Sequence, residues 1–293
     1  MTTMMQEWIW REFRLRLPKD WEMLRFSREP DTGACLFADR QQFRLEFSWT
    51  TVRGAPDYPR LVGDYVAKLT ADHGLRQPKA IEWAAWHGFE GELDSGWTSR
   101  FGRHFALTGR LLELVFFWPG KPEPALWHEI LGSVLPAAPG DRQRWRAFGL
   151  DLRATGGLRL DTCRVLPGLA QFTFADARQA ERIENFERLG LVELWLRGSV
   201  RDWLAGKQPA GLSGVATRTE TVGQHQIEQV SGRLPALKFP RLGRNGCRYS
   251  AAAWICPADG RLYSVSAIGP GRDGEPARLA GERLACCDQL KCG

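Results

Sequence analysis

Apolar residues recur in the pattern W-R-x-F-x-L-x-L from Trp10 to Leu17 and again from Trp145 to Leu152, with Trp10, Phe13, Leu15 and Leu17 matching Trp145, Phe148, Leu150 and Leu152 at one constant offset of 135 residues. Such alternation predicts strands with one buried face, and the repeated aromatic positions are expected in a shared core. The same period runs through Phe43, Leu45, Phe47 and Trp49 and predicts a half-buried antiparallel meander. It changes to helical spacing at Leu61, Val62, Tyr65, Val66 and Leu69, where Asp57 can cap, Pro59 fits the first turn and Gly74 ends the pattern. GRLLELVFFW at 109–118 is apolar enough for a central strand, and Trp127, Ile130, Leu131, Val134 and Leu135 predict an inward-facing second helix that Pro124 opens.

PAAPGDRQ at 136–143 has the composition of a short linker, and further matches follow it in order. Phe37-Ala-Asp39 is answered by Phe174-Ala-Asp176, GRL at 109 by GRL at 260, Pro119-Gly120 by Pro270-Gly271, and Glu123-Pro-Ala by Glu275-Pro-Ala. LVELWLRGSVRDWL at 191–204 supplies a helix, Asp259-Gly260 a hairpin turn, and Ala280, Leu284 and Cys287 one face of a last helix beginning at Glu275. The expected fold class is α+β: two tandem, internally duplicated domains, residues 1–137 and 143–293, each an antiparallel sheet flanked by helices.

Composition changes this picture little. The 43% hydrophobic and 25% charged content is that of an ordinary globular protein. Thirteen Trp add core material, and some of them suit a binding surface. The formal charge is +6, carried by 33 Arg and 7 Lys scattered among 34 acids, so nucleic-acid binding is permitted and not favoured. The opening residues lack a leader pattern and no apolar run reaches membrane length, which makes the cytoplasm the expected address. Seven Cys without a C-x-x-C pair fit a reducing compartment better than a disulfide framework.

The chemical motifs dissolve in context. Gly269-Pro-Gly271-Arg-Asp-Gly274 spells G-x-G-x-x-G, but only 19 residues follow it, too few for the rest of a dinucleotide-binding unit, so a connecting loop is expected. Cys286, Cys287 and Cys292 offer thiolates without a nearby His; Cys287 is expected in the core and Cys292 as a tail thiol. Gly211 to Val215 misses the nucleophile-elbow pattern, and no triad assembles. No catalytic residue, metal ligand or cofactor is therefore assigned. Lys238, Arg241, Arg244 and Arg248, spaced by Gly, Pro and Phe239 in an expected loop, are the candidate partner-binding residues.

The string LRLPKDWEM at 15–23, together with the order meander, helix, strands, hairpin, helix in each half, resembles the PsbP-like superfold, which includes a nuclear-import factor that binds a small GTPase and DcrB-type effector chaperones. The resemblance transfers no functional residue, and the second half has LRATGG in place of LPKDW. It implies an antiparallel sheet flanked by helices and a protein that binds other proteins without catalysis. A binding, adaptor or chaperone-like protein acting on a protein partner is thus the expected function. The alternatives are an enzyme with its site between the domains and a nucleic-acid binder using dispersed Arg.

Overall fold

The computed structural model describes residues 4–136, 142–177, 182–235, 246–270 and 279–290. The chain divides into two compact units, residues 1–138 and 139–293. Both are mostly antiparallel sheet with few helices. Among the described residues no helix is long and apolar enough to cross a membrane.

The first unit contains β1 (Met5–Trp10), β2 (Phe13–Pro18), β3 (Glu22–Phe26), β4 (Thr32–Ala38), β5 (Phe43–Thr51), α1 (Tyr58–His73), β6 (Arg76–Trp83), β7 (Trp86–Leu93), β8 (Gly96–Phe105), β9 (Arg110–Trp118), α2 (Pro124–Ser133) and β10 (Leu135–Pro136). Its main sheet has the order β3-β4-β5-β9-β8-β7-β6. The repeated string forms a hairpin here: Trp10 closes β1, Phe13 opens β2, and the two are cross-strand partners. Phe13, Leu15 and Leu17 point inward, and Phe13 meets Phe47 and Phe105 of the main sheet, ring against ring. Burying such aromatics contributes roughly 1.5–3 kcal/mol each. Helix α1 starts where Asp57 accepts the Arg60 N–H (3.2 Å) and stops at Gly74 in the left-handed conformation (φ 62°). Its apolar stripe lies over β6 and β7 only half-buried. Helix α2 buries Trp127, Ile130 and Leu131; Leu135, expected to face inward with them, is exposed because it leaves the helix and pairs with Arg14 as β10.

The second unit contains β11 (Arg142–Ala147), β12 (Leu150–Thr155), β13 (Arg159–Leu166), β14 (Leu169–Ala175), β15 (Ile183–Leu189), α3 (Val192–Trp195), α4 (Val200–Gly206), β16 (Ser213–Val222), β17 (His225–Arg233), β18 (Cys247–Ile255), β19 (Leu262–Pro270) and β20 (Leu284–Ala285). Its main sheet runs β13-β14-β15-β19-β18-β17-β16, the strand order of the first. Trp145 packs against Phe172 and Phe174, yet its hairpin turns two residues later in the repeated string. Phe148 and Gly149, at φ 52° and 72°, form the turn, because two left-handed residues match the strand twist. Phe148 is consequently half-buried and does not join the core as its repeat position predicts.

Two predicted helices change form. The 191–204 segment breaks into α3 and α4 because Ser199 starts a new helix, exchanging hydrogen bonds with Asp202 in a capping box. Residues 271–278, where the last helix was expected to begin, lie outside the described residues, as does most of the G-x-G-x-x-G string. Beyond them the predicted helix is absent: Ala280 is extended, Gly281 is left-handed (φ 81°), and Leu284 continues into β20, which pairs with β12.

Candidate metal centre

Three separated segments of the second unit meet at one end of its main sheet. The turn Gly223–Gln224 sets His225 at the first position of β17, opposite Val222, and the ring is completely buried. Cys256 follows β18 and is held in the β18–β19 turn: its N–H donates to the Arg261 carbonyl (2.9 Å) and its carbonyl accepts from Gly260 (2.9 Å). Asp259 braces that turn by accepting from the Arg261 N–H (3.1 Å) and the Tyr263 hydroxyl (2.8 Å). Cys286 and Cys287 arrive on the segment after β20. Arg283 fixes that segment by donating to the Arg153 carbonyl (2.7 Å) and pairing with buried Glu184, which also accepts the Thr155 N–H (2.9 Å).

The Sγ atoms of Cys286 and Cys287 stand 3.3 and 3.5 Å from His225 Nε2 and 3.8 Å from each other. With Cys256, the four donor atoms lie within 4.8 Å of one another. Trp254 Nε1–H donates to Cys286 Sγ at 3.3 Å. Burial pushes the Cys256 and Cys286 thiols up from their ordinary range, so without a cation both stay protonated and are poor nucleophiles. The donor set suits cation ligation far better than nucleophilic chemistry, thiol–disulfide exchange included.

This corrects the sequence reading. Cys287 is not a core residue on a helix, and a His does complete the set; it comes from 62 residues away in the chain. A signal was present in the comparison of the halves. His225 follows its two-residue turn as Trp86 follows Ala84–Ala85, and Cys256 stands five residues before Arg261 as Phe105 stands five before Arg110. In the first unit that corner is filled by buried Trp86 and Phe105, in ring contact at 6.3 Å. Cys292 lies outside the described residues, and Cys35, Cys163 and Cys247 are not part of the cluster.

Of the predicted binding residues, Lys238, Arg241 and Arg244 lie outside the described residues. Arg248 is exposed on β18, beside Arg233 and Gly269, and not in a loop. Many other arginines are engaged by acids: Arg144 with Asp151 (2.6 Å), Arg100 with Glu113 (3.0 Å) and Arg201 with Glu228 (3.0 Å). That pairing spends positive charge a phosphate backbone would need.

A second surface came from strand register. Leu262, Leu189, Leu169 and Leu166 are successive cross-strand partners on β19, β15, β14 and β13, passing from complete burial at Leu262 to 47% exposure at Leu166. Leu191 and Leu194 extend this apolar end of the sheet at 67% and 68% exposure. Counted from GRL, the first unit has Leu111, Thr50 and Thr32 in that row, and the two hydroxyls are 3.5 Å apart.

No protein-family model and no curated protein matches this chain. Among solved structures it is similar to immunity protein TplEi of the T6SS from Pseudomonas aeruginosa complexed with "L" peptide, at 9% identity and TM-score 0.35, over 98% of this chain and 92% of that one. The apo form of TplEi gives 10% identity and TM-score 0.32 over 93% and 90%. Cyanobacterial PsbP (CyanoP) from Synechocystis sp. PCC 6803 gives 16% identity and TM-score 0.29 over 46% of this chain and 83% of that one. The resemblance to PsbP-like proteins is present and weak.

Proposed function

We propose that this chain is a non-catalytic binding protein that acts on a protein partner, built from two copies of one α+β domain, residues 1–137 and 143–293. The duplication is supported by the identical strand order and by the ordered sequence matches. The observation that carries the binding reading is the leucine row. Folded chains rarely leave clustered apolar side chains in water, and where this row has Leu189 and Leu169 the first copy has Thr50 and Thr32. A surface needed only for the fold would be alike in both copies. The partner therefore presents an apolar segment to Leu166, Leu191 and Leu194, and the basic stretch containing Lys238, Arg241, Arg244 and Arg248 supplies a separate, salt-sensitive contact. Arg248 sits at the end of β18 away from Ile255, the residue paired with Leu262.

A photocrosslinking amino acid at Leu191 or Leu194 tests this in the native host, with Leu107, 96% exposed in the first unit, as the control position. One discrete protein adduct at 191 and 194, absent at 107, is expected. Adducts to nucleic acid, or equal labelling at all three positions, would overturn the reading.

A further inference from the structure

We propose that His225, Cys256, Cys286 and Cys287 hold a four-coordinate zinc ion that fastens the segment following β20 to the end of the second sheet. This does not rest on the binding reading. Zinc bonds of ~2.3 Å to sulfur and ~2.0–2.1 Å to imidazole nitrogen place tetrahedral donors about 3.8 Å apart for two sulfurs and about 3.6 Å apart for sulfur and nitrogen. The sulfurs of Cys286 and Cys287 are 3.8 Å apart, and their separations from His225 Nε2 are 3.3 and 3.5 Å. Cys256 completes the group within the 4.8 Å span. Adjacent cysteines share the site because the chain leaves the β20 pairing at Ala285 and turns into the short helical turn Asp288–Leu290.

A second observation points the same way. His225 is 0% exposed, and the partners of its Nε2 are the two sulfurs, weak hydrogen-bonding groups for an imidazole removed from water. A cation at the centre of the four donors compensates that desolvation directly. The Trp254 indole N–H on Cys286 Sγ is the outer donor that a buried, negatively charged zinc–thiolate centre requires. Ligation takes place without redox change: three S–H bonds break, three Zn–S bonds and one Zn–N bond form, and three protons go to solvent. Soft sulfur donors in a tetrahedron select zinc over magnesium or calcium, and four protein ligands leave no open position, so the ion is structural.

Elemental analysis of the full chain, purified under reducing conditions without added metal, should find about one zinc per chain. Titrating the metal-stripped protein with cobalt should give thiolate charge-transfer absorption and the visible bands of a tetrahedral ion. Cys256→Ser and His225→Ala should lose zinc, whereas Cys163→Ser keeps it. If a variant fails to fold, the cobalt spectrum of the unaltered chain decides alone. A zinc content near zero after reconstitution, an octahedral cobalt spectrum, a different resident metal, or a Cys256–Cys286 disulfide in the reduced preparation would each overturn the proposal.

Discussion

The same corner of the sheet is closed in two ways. In the first unit, where the β6–β7 turn meets the end of β8, Trp86 and Phe105 fill the space with ring carbons, joined by Phe13. In the second, His225 and Cys256 stand at those positions and Cys286 and Cys287 cover them. The aromatic solution needs only packing. The polar one brings a distant segment onto the sheet, so its stability depends on what that segment binds and on how it is held.

The largest test of this contrast is truncation. Trp86→Ala or Phe13→Ala should cost ~3–5 kcal/mol in denaturant unfolding, with or without a zinc chelator. Phe148→Ala, in a turn and half-buried, should cost about 1–2 kcal/mol. Equal losses at Phe13 and Phe148 would show that the two hairpins bury their repeated aromatic alike. Next comes the ion pair that positions the cysteines. Arg283→Met strands a buried Glu184 and should cost about 3 kcal/mol. Arg110→Met in the first unit, whose partners Glu12 and Asp31 are open to solvent, should cost about 1 kcal/mol. A smaller loss at Arg283 than at Arg110 would remove the case that the second unit depends on its late segment.

Smaller effects sharpen the leucine comparison. Thr32→Leu with Thr50→Leu should leave unfolding within about 0.5 kcal/mol yet raise binding of a hydrophobic dye by the folded chain. Unchanged dye binding would mean that the row alone does not make an adhesive surface. A last contrast is alkaline. Burial pushes Tyr249 and Tyr263 up in the second unit, so their contribution is complete below the ordinary tyrosine value of about 10 and is lost as pH rises beyond it. Half-buried Tyr65 in the first unit is also raised, with Arg100 opposing the shift. Hydrogen exchange followed from pH 9 upward should therefore loosen residues 246–270 before residues 96–105; the reverse order would contradict this assignment.

Much of the fold was legible because it follows from local rules. Alternation found the hairpin strands, and the Asp57 and Gly74 signals bounded α1 closely. The last helix misled because Ala280, Leu284 and Cys287 have helical spacing, whereas Gly281 takes a left-handed conformation and β12 offers Leu284 a strand partner. The cysteine–histidine cluster was illegible by motif spacing: its donors are separated by about thirty residues on either side of Cys256, and only tertiary contact joins them. Aligning the halves would have exposed it, since Trp86 and Phe105 become a histidine and a cysteine.

The pairing of β12 with β20 also has a consequence during synthesis. Arg283 and the carbonyl it reaches on Arg153 are 130 residues apart, so at ~5–20 residues per second β12 waits roughly 7–26 s for β20. Over that interval Leu150, Leu152 and Ala154, buried in the finished unit, lack part of their cover, while the ten strands described in the first unit are already synthesised. Translation speed thus sets how long a nascent chain presents these residues to chaperones or to its neighbours on the polysome.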